Sequence, residues 1–212
     1  MNQRPKNGPP GSVRIIAGHL RGSKLPVPDR PGLRPSSERV RETLFNWLQP
    51  WLHGARVLDL FAGTGALGFE AASRGAARVQ MVERDPVLAE ALRANAARLK
   101  VGQARVEVAD ALAWLQRPPA EAFDLVLVDP PFDADLWEPA LSRLGPWLAP
   151  GAWIYVESPV RTRPAPPAGW RLHREGQTRE VRFALFQSGN GRGEASAATL
   201  ADDSNPQGET PE

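Results

Sequence analysis

The chain contains no cysteine, which excludes a disulfide framework and any thiolate metal site. Its histidines, His19, His53 and His173, are scattered and form no ligand cluster, so no metal is expected. No apolar run approaches the length of a membrane span, and the opening segment from Met1 to Pro10 has nothing resembling a signal peptide. Internal repeats are also missing. These absences lead to the expectation of a cytoplasmic protein with no membrane partner. What is present is a 212-residue chain with 42% hydrophobic residues, enough for one domain and an appendage.

A net charge of +2 hides an uneven distribution. Residues 1–42 carry nine Lys/Arg against three Asp/Glu, and residues 43–158 carry ten against fourteen. Residues 159–187 are basic again, six against two, and residues 188–212 are acidic, one against five. A basic N-terminal piece beside an acidic central domain suits a polyanion docking on the former, although an Arg-rich solvated surface has the same composition.

Residues 1–12 are Pro/Gly/polar and are expected to be a disordered basic N-terminus; residues 188–212 are expected to be a disordered acidic tail. Residues 13–54 are read as a hairpin and a helix. Val13 to Ala17 suggests a strand, Gly18 to Gly22 a turn, and Lys24 to Val27 an edge partner containing Pro26. Ser36 or Ser37 then caps a helix in which Val40, Leu44, Trp47 and Leu48 recur at helical spacing before Pro50. Phe45, Trp47 and Trp51 are expected to pack inside. From residue 55 to 187, short apolar strands alternate with helices, which means an α/β fold with a doubly wound sheet. The strands are Arg56–Phe61, Arg78–Glu83, Ala104–Ala109, Phe123–Asp129 and Ala152–Glu157. The helices are Ala66–Ser73, Pro86–Leu99, a short one through Trp114, and one around Leu136–Leu148. Trp170 to Phe186 holds two strands turning at Gly176-Gln177 with no helix between them.

The first strand-to-helix turn of that unit contains Asp59-Leu60-Phe61-Ala62-Gly63-Thr64-Gly65, with Gly68 following. Glycines here let the backbone approach a ligand, and Glu83 ends the next strand about twenty residues on, as in a dinucleotide site. Asp59 argues against that assignment. A carboxylate there would repel a pyrophosphate but suits a cationic ligand bearing an amino acid. Asp110, with Ala111 beside it, follows the third strand and is placed to accept from an adenine amino group, or to cap the next helix.

Asp129-Pro130-Pro131-Phe132 follows the fourth strand directly. Two prolines remove two N–H donors and leave carbonyl acceptors, and Asp129 adds a carboxylate. This set of acceptors suits an amino group with two N–H bonds. Phe132 offers a flat face on which an extruded base can stack.

The glycine motif with Asp59 and Glu83 resembles the class I S-adenosylmethionine-dependent methyltransferases. The resemblance implies a Rossmann-like seven-stranded sheet with a C-terminal antiparallel strand pair. It also implies S-adenosylmethionine as cofactor and S-adenosylhomocysteine as product. Asp59, Phe61, Gly63, Thr64 and Gly65 would lie about the methionine part, Glu83 would hold the ribose hydroxyls, and Asp110 and Ala111 would border the adenine. With the Asp129–Phe132 loop, the implied reaction is methylation of an exocyclic amino group.

The N-terminal runs Arg14-Ile15-Ile16-Ala17-Gly18-His19-Leu20-Arg21-Gly22 and Leu33-Arg34-Pro35-Ser36 to Leu48 narrow the target. With Tyr155-x-Glu157-Ser158, they make the chain similar to the bacterial family that methylates guanine N2 of 16S ribosomal RNA at nucleotide 966. That family usually has Thr where Ser36 stands. The resemblance spans Val13 to Phe186 and implies 16S rRNA, in a 30S subunit or assembly intermediate, as partner of a monomeric enzyme. Candidate phosphate contacts are Arg14, Arg21, Lys24, Arg34, Arg39 and Arg41. Arg39 and Arg41 cannot share one helix face, so one of them is expected to pair with an acid instead. Two alternatives share parts of the pattern. A DNA adenine-N6 methyltransferase shares the tetrapeptide but needs a larger target-recognition region. A nucleotide-dependent oxidoreductase rests on the glycine fingerprint alone.

Overall fold

A computed structural model describes residues 11–28 and 37–189. Arg34 and Ser36, with residues 1–10 and 190–212 of the terminal segments, lie outside these residues, whereas Gly11 and Ser12, expected to be disordered, belong to the first strand. The chain first forms a hairpin, β1 (Gly11–Arg14) and β2 (Lys24–Val27), and then α1 (Glu38–Leu52). The main unit follows as β3 (Arg56–Asp59), α2 (Ala66–Ser73), β4 (Arg78–Glu83), α3 (Pro86–Arg98), β5 (Ala104–Val108) and α4 (Ala111–Leu115). It continues through β6 (Phe123–Val128), α5 (Trp137–Leu141), a 3₁₀ turn at Gly145–Trp147, β7 (Leu148–Pro159), β8 (Arg171–Gln177) and β9 (Val181–Gln187).

Seven strands form one sheet in the order β5-β4-β3-β6-β7-β9-β8. The pairings from β5 through β7 are parallel, and β9 joins antiparallel to both β7 and β8. The chain reverses its direction across the sheet between β3 and β6, where open α/β sheets bind ligands beyond the strands' carboxyl ends. The doubly wound expectation therefore holds, including the C-terminal antiparallel pair. Both faces are covered. One core joins β3, β4 and β7 to the hairpin and to α1, α2 and α3; the other joins β6 and β7 to α4, α5 and the 3₁₀ turn. Phe45 is fully buried and Trp47 stacks on Phe183 at 5.4 Å, as expected of core aromatics. Trp51 stays 41% exposed while lying 4.2 Å from the Trp153 ring.

Several boundaries differ from expectation for physical reasons. Helix α1 continues through Pro50 to Leu52. The residue that loses its hydrogen-bond donor is Asn46, which is exposed, so water can take the freed carbonyl. The expected helix over 136–148 is instead the short α5 and the separate 3₁₀ turn. Pro146 disfavours helical backbone at Gly145 and supplies no N–H. The last two strands turn at Thr178–Glu180, not at Gly176-Gln177. Gly176 sits inside β8 opposite Phe183, whose ring would be 2.3 Å from an added Cβ. That glycine makes room for an aromatic rather than for a turn.

Candidate active site

The carboxyl ends of the parallel strands line one edge of the sheet. Asp59 ends β3, Glu83 ends β4, Asp110 lies just beyond β5, and Asp129 follows β6. In spatial order the edge therefore reads Asp110, Glu83, Asp59, Asp129.

The glycine loop is held by these acids. Gly63 and Gly65 have left-handed backbone (φ 50° and 75°), and the Gly65 N–H donates to the Ala62 carbonyl at 2.7 Å. Glu83 Oε2 accepts from the Gly63 N–H and Oε1 from the Asp85 N–H, both at 2.8 Å. Thr64 Oγ1 accepts from the Ala66 N–H at 3.2 Å, a local bond in the turn that leads into α2 through its N-cap, Gly65. Asp59 Oδ2 accepts from the Gly68 N–H at 3.0 Å, tying α2 to β3. Phe61 is half-buried against the second core.

Asp59 is only 2% exposed and Glu83 only 8%. Burial pushes the Asp59 carboxyl up to about 7; the Gly68 hydrogen bond opposes that shift and the charge of Glu83 adds to it. Neither carboxylate has a cationic side chain as partner among the described residues. Two buried acids supported only by backbone N–H groups suit a ligand that brings positive charge. S-adenosylmethionine, with a sulfonium and an ammonium, fits this donor set. No group of acids and histidines among the described residues could hold a metal.

Asp110 Oδ1 accepts from the Ala113 N–H at 2.9 Å and is the N-cap of α4, while Ala111 is buried. The capping alternative raised by the sequence is thus realised, with the side chain still exposed at the site.

Asp129 and Pro131 leave β6 in a fixed turn, in which the Pro131 carbonyl accepts from the Ala134 N–H at 3.1 Å. Pro130 is buried, and Phe132 is 41% exposed with its ring 6.1 Å from Trp137. Beneath this loop lies a pair that sequence reasoning did not assign to the site. Tyr155 donates to Glu157 Oε2 at 2.6 Å, and both are buried. Burial first, and then the charges of Glu157 and Asp129, push the Tyr155 hydroxyl well above its ordinary pKa, which puts Asp129 in electrostatic reach of the pair. Trp137 Nε1 donates to the Glu157 carbonyl at 2.7 Å and ties α5 to the same place.

The N-terminal cations are not brought together. Arg41 is buried, donates through Nη2 to the Arg14 carbonyl at 3.0 Å and faces Glu70 at 3.8 Å. It is a structural residue and not a surface phosphate contact, because its guanidinium does not reach solvent. Arg41 opposite Glu70, and Arg74 over the Phe45 ring at 5.2 Å, show α1 and α2 running in the same direction. The start of α1, with exposed Arg39, is therefore level with the glycine loop. The Gly18–Gly22 turn docks instead on Ser73 at the far end of α2, where Ser73 O accepts from the His19 N–H at 2.9 Å. Arg21 is exposed there, and Lys24 is exposed beside Arg98 at the far end of α3, so both are displaced from the catalytic edge.

Glu70 is the functional-looking residue most completely missed. Fully buried in α2, it accepts from the Ile16 and Ala17 N–H groups at 2.8 and 3.0 Å and from Arg74 at 2.7 Å. The available signal was a single acid in the otherwise apolar and small-residue run Ala-Leu-Gly-Phe-Glu-Ala-Ala-Ser.

The strand order, the acid-supported glycine turn and the Asp129–Phe132 loop define a methyltransferase of the class I architecture. The chain belongs to the family described as conserved hypothetical protein 95, whose model matches residues 13–187. Among curated relatives, Ribosomal RNA small subunit methyltransferase D of Escherichia coli K12 is 47% identical over 188 residues, covering 87% of this chain and 94% of the relative. The protein of the same name from Haemophilus influenzae is 45% identical over 183 residues, covering 84% and 95%. Among solved structures, a putative methyltransferase from Escherichia coli superposes with a TM-score of 0.79 at 46% identity, covering 85% of this chain and 99% of that one. The oxidoreductase alternative is thereby set aside.

Proposed function

We propose that this protein transfers a methyl group from S-adenosylmethionine to the exocyclic N2 amino group of a guanine in 16S rRNA, acting as a cytoplasmic monomer on a 30S subunit or assembly intermediate. The observation that carries the proposal is the Asp129–Phe132 loop at the carboxyl end of β6, directly beside the strand that bears the glycine loop. The ribosomal RNA target is supported by the names of the relatives at 47% and 45% identity.

When bound, S-adenosylmethionine supplies a methyl group on positively charged sulfur. Glu83, oriented by two backbone N–H groups, has lone pairs left to accept from the ribose hydroxyls. Asp110 and Ala111 would border the adenine, and buried Asp59 would supply negative charge to the cationic end of the cofactor. An exocyclic guanine nitrogen is a poor nucleophile because its lone pair is delocalised into the ring. Asp129 and the Pro130 carbonyl accept its two hydrogens, which favours a pyramidal nitrogen with the lone pair free. Asp129, or a water beside it, takes the proton once the methyl is in place. Phe132 stacks on the extruded base, a contact worth about 1–3 kcal/mol.

Asp129→Ala is expected to lower kcat on 30S particles by about 10²–10⁴-fold while S-adenosylmethionine affinity stays near that of the unmodified protein. Near-normal turnover by the variant would remove Asp129 from the chemistry. Mass mapping of 16S rRNA from cells lacking the protein is expected to show one guanine without its N2 methyl. An unchanged methylation pattern would remove the target.

A further inference from the structure

The basic charge of residues 159–187 has no role in the site described so far. One charge is neutralised within the fold, where Arg182 pairs with Glu175 at 2.7 Å, while Arg171 is engaged by the uncharged Gln187 side chain, to which it donates at 3.1 Å. Arg174 is exposed in the middle of β8, and Arg161, Arg163 and Arg179 lie beyond the strand ends. These last three are exposed, and none is in a hydrogen bond or ion pair with a described residue.

The topology gathers them at the catalytic edge. Strand β7 runs parallel to β6 with Val128 opposite Val156, so Asp129 is level with Glu157 and the proline pair with Ser158 and Pro159. Arg161 and Arg163 therefore follow β7 just beyond the level of the catalytic loop. Strand β9 runs antiparallel to β7 with Pro159 opposite Val181, which brings Arg179 in the β8–β9 turn to the same end. At ordinary strand spacing, β7 and β9 lie about 5 and 10 Å from the strand that bears Asp129.

Both turns are fixed. The Thr162 N–H donates to the Pro159 carbonyl at 2.8 Å, Ser158 Oγ donates to the Thr162 carbonyl at 3.0 Å, and the Val160 N–H donates to the Glu180 carbonyl at 2.9 Å. In the second turn, Thr178 Oγ1 accepts from the Val181 N–H at 3.0 Å, and the Thr178 N–H donates to the Val181 carbonyl at 2.8 Å. The arginines thus stand on ordered backbone at a site whose other groups are acceptors and acids.

We propose that Arg161, Arg163 and Arg179 form a phosphodiester-binding site that holds the RNA strand beside the target base, on the β7–β9 side of the catalytic loop. The site rests on the ribosomal RNA reading above and gives the substrate a contact surface separate from the N-terminal segment. Arginine is suited to this by its planar fork of donors, which matches phosphate oxygens.

The test compares the unmodified protein, the triple variant Arg161→Gln/Arg163→Gln/Arg179→Gln, and a control, Arg93→Gln/Arg105→Gln, at the opposite edge of the sheet. Binding and methylation of 30S particles and of 16S rRNA are measured across a salt series, with S-adenosylmethionine affinity alongside. The triple variant is expected to raise KM by at least about tenfold, keep kcat at saturation and cofactor affinity, and reduce the salt slope of log K by about 2–3, one for each phosphate no longer neutralised. The control is expected to behave like the unmodified protein. An unchanged KM and salt slope in the triple variant would overturn the site. Weaker 30S binding with an unchanged slope would also overturn it, pointing to a protein contact instead. An unmodified protein that methylates neither substrate would overturn the underlying reading rather than the site alone.

Discussion

Asp59 accepts one backbone hydrogen bond in a buried position, and its carboxyl is raised from 3.8 to about 7. Because the folded-state value exceeds the unfolded one, the folded protein holds an extra proton between those pH values. Stability of the ligand-free protein that is present below pH 4 is therefore lost as pH rises towards 7, and the loss levels off above it. A cationic ligand reverses the shift. Binding of S-adenosylmethionine at pH 7 is expected to release up to about half a proton, because Asp59 is then half-protonated when free and ionised when bound. Calorimetry in buffers of different ionisation enthalpy measures this directly, and a binding enthalpy independent of buffer would contradict it. The placement of Asp59, Glu83 and the Asp129–Phe132 loop at strand ends was legible in the sequence because its signal is local: an acid at the end of an apolar run, near a glycine turn or a proline pair. Arg41 and Glu70 were not. They meet across separate helices, and periodicity along one helix does not name the partner on another. The candidate phosphate contacts mixed Arg39, level with the glycine loop, with Arg21 at the other end of α2 for the same reason.

At the scale of elements, apolar periodicity found every strand of the parallel unit, and errors gathered where proline and glycine were read by type alone. Pro50 passes through α1 because the carbonyl it leaves unpaired is on the exposed face, whereas Pro146 helps divide the expected fifth helix. Gly176 suggested a turn but clears space for Phe183. Gly18 is a case where the turn reading holds and has a second cause. Its φ is 79°, and an added Cβ would lie 1.9 Å from the Ser73 carbonyl oxygen at the end of α2. Gly22, in the same turn, has φ 83° but nothing within 4 Å. Gly22→Ala thus meets only the left-handed backbone penalty, about 1 kcal/mol, while Gly18→Ala adds a backbone clash and is expected to cost about 2–4 kcal/mol. Denaturant midpoints of the two variants decide the matter. Equal losses would mean that the hairpin turn is not held against α2 as described.

The whole molecule is organised less as an appendage on a domain than as one core with a basic strap. Sequence patterning separates residues 13–54, read as a hairpin and a helix, from 55–187, where strands and helices alternate regularly. Packing does not follow that boundary. Val13, Ile15, Leu25 and Val27 of the hairpin segment are buried in the same cluster as Val57, Val79, Leu125 and Tyr155 of the main sheet. Glu70 and Ser73 bind the segment's backbone from α2, and the Asn95 and Arg98 side chains bind it from α3. A unit joined this way should unfold with the rest. Ile15 is fully buried, so Ile15→Ala is expected to destabilise the protein by about 2–5 kcal/mol. The distinguishing outcome is the form of the transition. Trp47 and Trp51 in α1, with Trp114 and Trp147 on the other face, report both sides of the sheet. Fluorescence and far-UV circular dichroism of Ile15→Ala are therefore expected to superimpose in a single transition shifted to lower denaturant. Two separated transitions, with only a minor one moved, would show that the hairpin and α1 fold as a domain of their own.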